Sequence, residues 1–202
     1  ILLMPVAEGV DARACQAAID PNKDVDGVHP ANLGRVVQGG TALAPCTAQA
    51  AFALAQASGV PLFSSPSEAA GKGVEVCVVG HSEIVGKPTA LLLLDRFCTV
   101  TVCHIGTQDL KAHTTKADLL VVAVGKAGLI TGEHIKPGAV VIDVGINRIK
   151  GEDGKTKTVG DVAFDEAVEI ASQITPVPGG VGTVTTAMLL KNVVDAARLQ
   201  GM

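Results

Sequence analysis

Large aromatic side chains are nearly missing from this chain. Its 202 residues include no Trp, no Tyr and 4 Phe. A core without rings must be filled by Ala, Val, Leu and Ile, and 48% of the residues are hydrophobic. That supply suits a sheet covered by helices on both faces. A basic excess is also missing: 16 Lys and Arg against 20 Asp and Glu give a net charge of −4. Nothing here makes a basic footprint for nucleic acid or a basic amphipathic helix for a membrane surface. No apolar run has the length of a membrane span, and no signal-peptide pattern is visible. The 5 cysteines, at 15, 46, 77, 98 and 103, form no C-x-x-C pair. Neither a zinc site nor a disulfide framework is therefore expected, and a reducing, cytoplasmic setting is. The length allows one large domain or two small ones.

What is present is organised around residues 74–94, VEVCVVGHSEIVGKPTALLLL. Val74 through Val79 is short, β-branched and apolar without alternation, which predicts a strand buried on both faces of a parallel sheet. Gly80, His81 and Ser82 follow, and then a second glycine, Gly86. Pro88 fits the first turn of the next helix, where its missing N–H costs little. Strand, glycine turn and helix start together make an anion site, because unpaired amides and the helix dipole converge there. The spacing G-x-S-x-x-x-G is not the usual G-x-G-x-x-G, so the strand and helix context carries the phosphate-loop reading. The plainer alternative is a tight βα turn that binds nothing.

Upstream, residues 1–6 predict a buried strand ended by Pro5 and Glu8-Gly9. The chain opens on Ile in mid-run, so further sequence is expected before Ile1. Asp11 is a good N-cap for a helix to about Ile19. The loop 22–34, NKDVDGVHPANLG, predicts no regular structure. Thr47 predicts the N-cap of an alanine-rich helix over 48–58, and 64–73 is the candidate domain boundary. Downstream, strands at 74–79, 99–103, 119–124 and 139–144 alternate with helical stretches at 108–116 and 131–136. That order predicts an α/β fold with a Rossmann-like, doubly wound parallel sheet. Residues 151–157, GEDGKTK, predict a charged surface hairpin, and 164–172 a helix. The segment 174–182, ITPVPGGVG, either turns sharply or brings backbone close to something. A last helix over 183–199 is expected to pack back on the N-terminal segment.

Such sheets bind ligands beyond the carboxyl ends of their strands. Glycine-bearing loops emerge there at Gly80-His81-Ser82, at 104–107, at Gly125-Lys126 and at 145–148. In NAD-binding units an acid near the end of the second strand takes the ribose hydroxyls. Here that place holds His104 and Ile105, with no acid before Asp109. A 2′-phosphate is then not repelled, and His81 could donate a hydrogen bond to it; the alternative for His81 is a solvated loop residue. Asp24 and Asp26 differ in role: one caps the loop and the other is free to bind. A free carboxylate suits a planar amino-heterocycle with adjacent N–H donors, against the alternative of an Asx-turn. His29 reads as a loop residue rather than a base. No Ser-His-Asp order or metal-ligand cluster is legible.

These segments, in order, resemble the bifunctional methylenetetrahydrofolate dehydrogenase/methenyltetrahydrofolate cyclohydrolase family. The resemblance is carried by KDVDGVHPANLG, PCT, VVGHSEIVGKPTALLLL, TVTVCH, ADLLVVAVGK, GAVVIDVGINR, GDVAF and ITPVPGGVG, which span nearly the whole chain. It implies a partial α/β folate domain over 1–65, completed by 183–202, beside an NAD(P)-binding domain over 66–182. It implies NADP, or else NAD, as cofactor, a tetrahydrofolate substrate, and a homodimer. Gly80, His81, Ser82, Ile105 and Ile146 would then form the cofactor site. Asp26 would hold the pterin ring, and Gly179 and Gly180 would let backbone approach the folate beside the nicotinamide. The family's catalytic lysine and tyrosine would lie upstream of Ile1. Leu3 stands where the family has a glutamine, and His81 and Ile105 stand where it often has Arg and Ser. Ala48-Gln49-Ala50 follow PCT where the family usually has Pro, any residue and Gly, and Thr183-Val184 follow PGGVG where it usually has Pro-Met. A non-catalytic, nucleotide-binding or scaffold relative is the rival these departures suggest.

Overall fold

The computed structural model describes residues 1–4, 6–151 and 154–201. The chain begins with the helices α1 (Ala12–Ala17), α2 (Pro30–Val37), α3 (Cys46–Ala57) and the short α4 (Pro66–Ala69). It then alternates through β1 (Glu75–Val79), α5 (Gly86–Leu94), β2 (Thr99–Cys103), α6 (Leu110–Thr114), β3 (Leu119–Val122) and β4 (Val140–Asp143). A hairpin of β5 (Asn147–Lys150) and β6 (Thr156–Val159) follows, then α7 (Phe164–Ala167), β7 (Gln173–Ile174) and the long α8 (Val181–Leu199). Five strands form a wholly parallel sheet in the order β2-β1-β3-β4-β7. The chain crosses from β2 back over β1 to β3, so the order reverses between β1 and β3. That reversal opens a crevice at the carboxyl edge, the usual ligand position in such sheets.

Strand side chains alternate faces, and here both faces are buried. Val76, Val78, Leu119, Val121 and Ile142 meet α3, α5 and α8 through Ala50, Ala51, Ala90, Leu93 and Val181. Cys77, Val79, Leu120, Val122 and Val141 meet Leu110, Ala117, Ile130, Ile135 and Ala167 on the other side. Each Leu or Val so buried contributes roughly 1.5–3 kcal/mol of transfer free energy. Helix α3 buries mostly alanine, with Ala48, Ala50, Ala51 and Ala55 at 1% exposure or less. Small side chains let α3 lie close to both α5 and α8. Among the described residues, no helix is long and apolar enough to cross a membrane.

The doubly wound sheet is as the sequence predicts, and several local expectations are corrected. Residues 1–4 and 6 form no strand, and Pro5 lies outside the described residues. The two sheet edges, β2 and β7, do not pair with this run, so it has no ladder to join. Residues 22–34 are not wholly irregular, because α2 starts at Pro30. The His29 Nδ1 accepts from the Ala31 N–H at 3.0 Å as its cap, and Pro at the first helical position is a start signal. Thr47 caps nothing: α3 begins one residue earlier, with Pro45 at the cap position and no side-chain cap bond. β3 and β4 end at Val122 and Asp143: the Ala123 and Val144 amides still donate to Val79 and Val122, and the amides after them, of Val124 and Gly145, turn aside to the Asp161 and Asp143 carboxylates. The helix expected over 164–172 is the single turn α7. The charged hairpin is present, and Glu152 and Asp153 lie outside the described residues.

Candidate functional site

The turn leaving β1 is fixed by sterics. Gly80 has φ +119°, and a Cβ there would overlap the Ala123 carbonyl at the exit of β3. A Cβ at Gly86 would in turn overlap the Gly80 carbonyl. The two glycines thus let β1, β3 and the start of α5 close on one another at the crevice. The Gly80 N–H donates to Cys103 at 2.8 Å. The next amides, of His81, Ser82, Glu83 and Ile84, reach no acceptor among the described residues. Ser82 Oγ accepts from the Val85 and Gly86 amides at 3.2 and 3.4 Å, which leaves its O–H free to donate outward.

The exit of β2 folds beside it. The His104 amide donates to Thr107 Oγ1 at 2.9 Å, and the Gly106 amide donates to His104 Nδ1 at 3.0 Å. The His81 and His104 rings lie with centroids 5.0 Å apart, tilted by 46°. Ile105 is fully exposed. No carboxylate of this turn faces the pair, because Asp109 accepts from the Ala112 amide at 3.0 Å as the cap of α6.

Two buried carboxylates organise the rest of the edge, and sequence reasoning assigned neither a role. Asp143, 3% exposed, accepts from the Gly145, Asp161 and Val162 amides at 2.9–3.0 Å. Burial pushes its carboxyl up, against the pull of those three amides. Asp161, fully buried, accepts from the Val124 and Gly125 amides at 2.7 and 2.9 Å and from Asn147 Nδ2 at 2.8 Å. Gly145 packs against the Asp161 carboxyl and Gly160 against that of Asp143, each with no room for a Cβ. The pair therefore clasps the exits of β3 and β4 to the hairpin. The signal was present in the sequence as an acid closing an apolar strand (VVID) and a second acid after glycine (GDV).

Beside the clasp is a cavity of about 240 Å³. Gly145 and Ile146 line it from the loop after β4, and Gly179 and Gly180 from the turn before α8. Gly179 has φ +104°, a conformation that glycine alone takes without strain. Three of the anticipated site residues, Ile146, Gly179 and Gly180, thus meet in one place. Gly80, His81, Ser82 and Ile105 gather at the neighbouring exits of β1 and β2.

Asp26 belongs to a separate group. Asp24, 1% exposed, is the capping acid and accepts from the Gly27 and His29 amides and from Asn32 Nδ2 at 2.8–3.1 Å. Asp26 is half-buried and makes no side-chain hydrogen bond among the described residues, so the two acids divide as the sequence predicts. Burial first, and the Asp24 charge next, raise the Asp26 carboxyl above its ordinary value. Cys46 is pushed up to about 12, by burial first and then by the Asp26 charge, with a hydrogen bond from Asn192 opposing. Asn192 of α8 donates to Val25 and Ala44 at 2.9 and 3.1 Å and accepts from Gln49 at 2.9 Å. α8 therefore runs from the cavity, at Val181, to the Asp26 loop, at Asn192, a span of roughly 16 Å at helical rise. Asp26 does not line the cavity itself. Leu3 is 81% exposed. His29 caps α2, which leaves no base role for it. Among the described residues no cluster of His, Cys, Asp and Glu could hold a metal ion.

Comparison with known proteins places these features. Residues 45–201 match the family model for the NAD(P)-binding domain of tetrahydrofolate dehydrogenase/cyclohydrolase. The bifunctional protein FolD 3 of Roseobacter denitrificans is 50% identical over 200 residues, 99% of this chain and 66% of the relative. The Trypanosoma brucei methylenetetrahydrofolate dehydrogenase-cyclohydrolase, solved with NADP cofactor and an inhibitor, aligns with a TM-score of 0.87 at 39% identity. That alignment covers 98% of this chain and 66% of the other. The bifunctional FolD enzyme of Campylobacter jejuni aligns with a TM-score of 0.86 at 40% identity, over 98% of this chain and 66% of its own. The chain thus spans about two thirds of the length of these relatives.

Proposed function

The chain belongs to the tetrahydrofolate dehydrogenase/cyclohydrolase family, and on that premise we propose that the full-length protein oxidises 5,10-methylenetetrahydrofolate with NADP. The product, 5,10-methenyltetrahydrofolate, is hydrolysed to 10-formyltetrahydrofolate. The observation that carries this reading is the family match over 45–201 joined to the crevice at the β1–β3 reversal.

The residues of that crevice fit a dinucleotide. Gly80 admits close approach of backbone, and the amides of His81, Ser82, Glu83 and Ile84 are free donors for phosphate oxygens. Ser82 offers its O–H to phosphate or ribose. Ile105 gives an exposed apolar surface at one end, and Ile146 gives another in the cavity. NADP, when bound, supplies the hydride acceptor. The chain's part in that step is to hold two flat rings face to face and keep water out, because hydride transfer needs little acid–base help. Gly179 and Gly180 leave room for the folate to approach there. Asp26, unpaired and half-buried, holds the pterin through two N–H donors. Its raised affinity for a proton means that ionised Asp26 is a strained group until such a partner arrives.

Hydrolysis of the methenyl bridge needs a proton-transfer group, a role the family gives to its lysine and that none of the residues above takes. We assign 66–182 to cofactor binding and 1–65 with 183–202 to the folate side. These are roles in binding rather than separate cores, since α3 and α8 cover one face of the sheet. A homodimer would use the edge of the sheet at β2, where Thr99 and Val102 are exposed. Five free cysteines support a cytoplasmic setting.

The test adds methylenetetrahydrofolate and NADP to the full-length protein and follows absorbance of the methenyl product. A rise that saturates with both compounds supports the proposal. A flat trace from folded protein with either NADP or NAD returns the case to a non-catalytic relative.

A further inference from the structure

We propose that His81 and His104 together form a 2′-phosphate clamp that takes up a proton on binding, so that preference for NADP over NAD strengthens as pH falls. The proposal rests on the dinucleotide reading above and adds a regulation to it. Dinucleotide folds read the ribose at the ends of the first two strands. Here those ends carry two exposed imidazoles 5.0 Å apart, with no acid between them.

The two rings are prepared differently. The Gly106 amide donates to His104 Nδ1 at 3.0 Å, so that nitrogen is the acceptor and the proton is on Nε2. His104 is therefore held as a neutral donor, and protonating it would break the Gly106 bond. Neither ring nitrogen of His81 is hydrogen-bonded among the described residues. His81 is the ring free to gain a proton. Imidazole is the side chain that ordinarily changes charge between pH 5 and 8. A positive charge on His81 plus a neutral N–H donor on His104 suits a phosphate dianion.

The surrounding charges do not cancel that arrangement. Glu83, on the His81 turn, is held by Arg13 of α1 at 2.7 Å, with Lys87 of α5 at 4.0 Å. On the β2 side, Asp109 caps α6, and Lys111 of α6 pairs with Glu133 at 2.8 Å. His113 of α6 and Lys126 at the exit of β3 add no negative charge. A charge-assisted bond from imidazolium to phosphate is about twice as strong as a neutral one, enough for roughly a tenfold change in affinity.

The test is titration calorimetry on the full-length protein with NADP, NAD and 2′,5′-ADP, at pH 6.5 and 8.0, in two buffers of different ionisation heat. Wild type is expected to take up protons with NADP and 2′,5′-ADP and not with NAD, and to bind NADP more weakly at the higher pH. Phosphate binding alone would release protons, because the bound dianion is favoured, so uptake has the diagnostic sign. His81→Ala should weaken NADP about tenfold and NAD far less. His81→Arg should keep NADP affinity and abolish uptake, which a merely structural histidine would not do. Unchanged NADP affinity in His81→Ala, or uptake that persists in His81→Arg, overturns the clamp while leaving the dinucleotide site standing. Wild type that binds none of the three probes overturns both.

Discussion

Replacing Asp161 by Ala removes the acceptor that ties the exits of β3 and β4 to the hairpin. Three donors lose it: the Val124 and Gly125 amides and Asn147 Nδ2. Asn147 keeps its second bond, to Gly160 at 3.1 Å. The two amides have no other acceptor among the described residues, and both are partly buried. An amide left unpaired inside costs about 1–3 kcal/mol, so the variant should lose roughly 2–6 kcal/mol. For a protein of this size that is roughly 4–24 °C in Tm, at about 2–4 °C for each kcal/mol. The control is Lys111→Ala, which deletes an exposed ion pair of 2.8 Å and should change stability little. Asp161→Asn should lie between them, because the amide oxygen can still serve the two backbone donors while its NH2 meets Asn147. Urea unfolding of the full-length protein measures all three. The same variants should lower dinucleotide affinity in the order of their instability, since the slackened loops form the crevice. If Asp161→Ala costs no more than Lys111→Ala, the clasp is not holding the edge and the reasoning fails.

Asp26→Asn should raise Tm while weakening folate binding, because it removes a charge that burial and Asp24 disfavour in the folded state. Thermal melts with and without a tetrahydrofolate analogue separate the two effects, and a fall in Tm would contradict the pairing. Asp118 is held below its ordinary value first by its hydrogen bond with Lys136, at 2.6 Å. A carboxyl whose folded value is lowered stabilises above its unfolded value and loses that contribution as pH falls through the folded one. Asp118→Asn should therefore cost up to ~1 kcal/mol at pH 7, given screening at a site this exposed, and less in acid, by urea unfolding at pH 7 and at a pH below the ordinary carboxylate range.

The parts of the fold that were legible in sequence are those where one local property decides. Val76 through Val79 could be read because a β-branched run without alternation has few ways to bury itself. Asp11 could be read because a cap is made within the turn that it starts. The first strand failed because a strand needs a neighbour, and pairing is not encoded in the run itself. α2 was missed because glycine and proline outweighed the start signal at His29-Pro30. The clasp was missed because Asp143 and Asp161 act across 18 residues, and nothing near either one reports the other. The glycine turn at Gly80 joins both kinds of information, since its spacing is local and its cause is not. Gly80→Ala tests that cause. The φ of +119° alone should cost about 1–3 kcal/mol for any side chain. Gly138→Ala is the matched control, with φ +82° and open space around its Cβ. Gly80 has in addition the Ala123 carbonyl in the way, and relieving that overlap means parting β1 from β3, at about 1–3 kcal/mol more. Gly80→Ala should therefore melt below Gly138→Ala and lose dinucleotide binding, while Gly138→Ala keeps it. Equal melting points would mean that φ alone accounts for Gly80, and that the crevice does not depend on the close approach of β1 to β3.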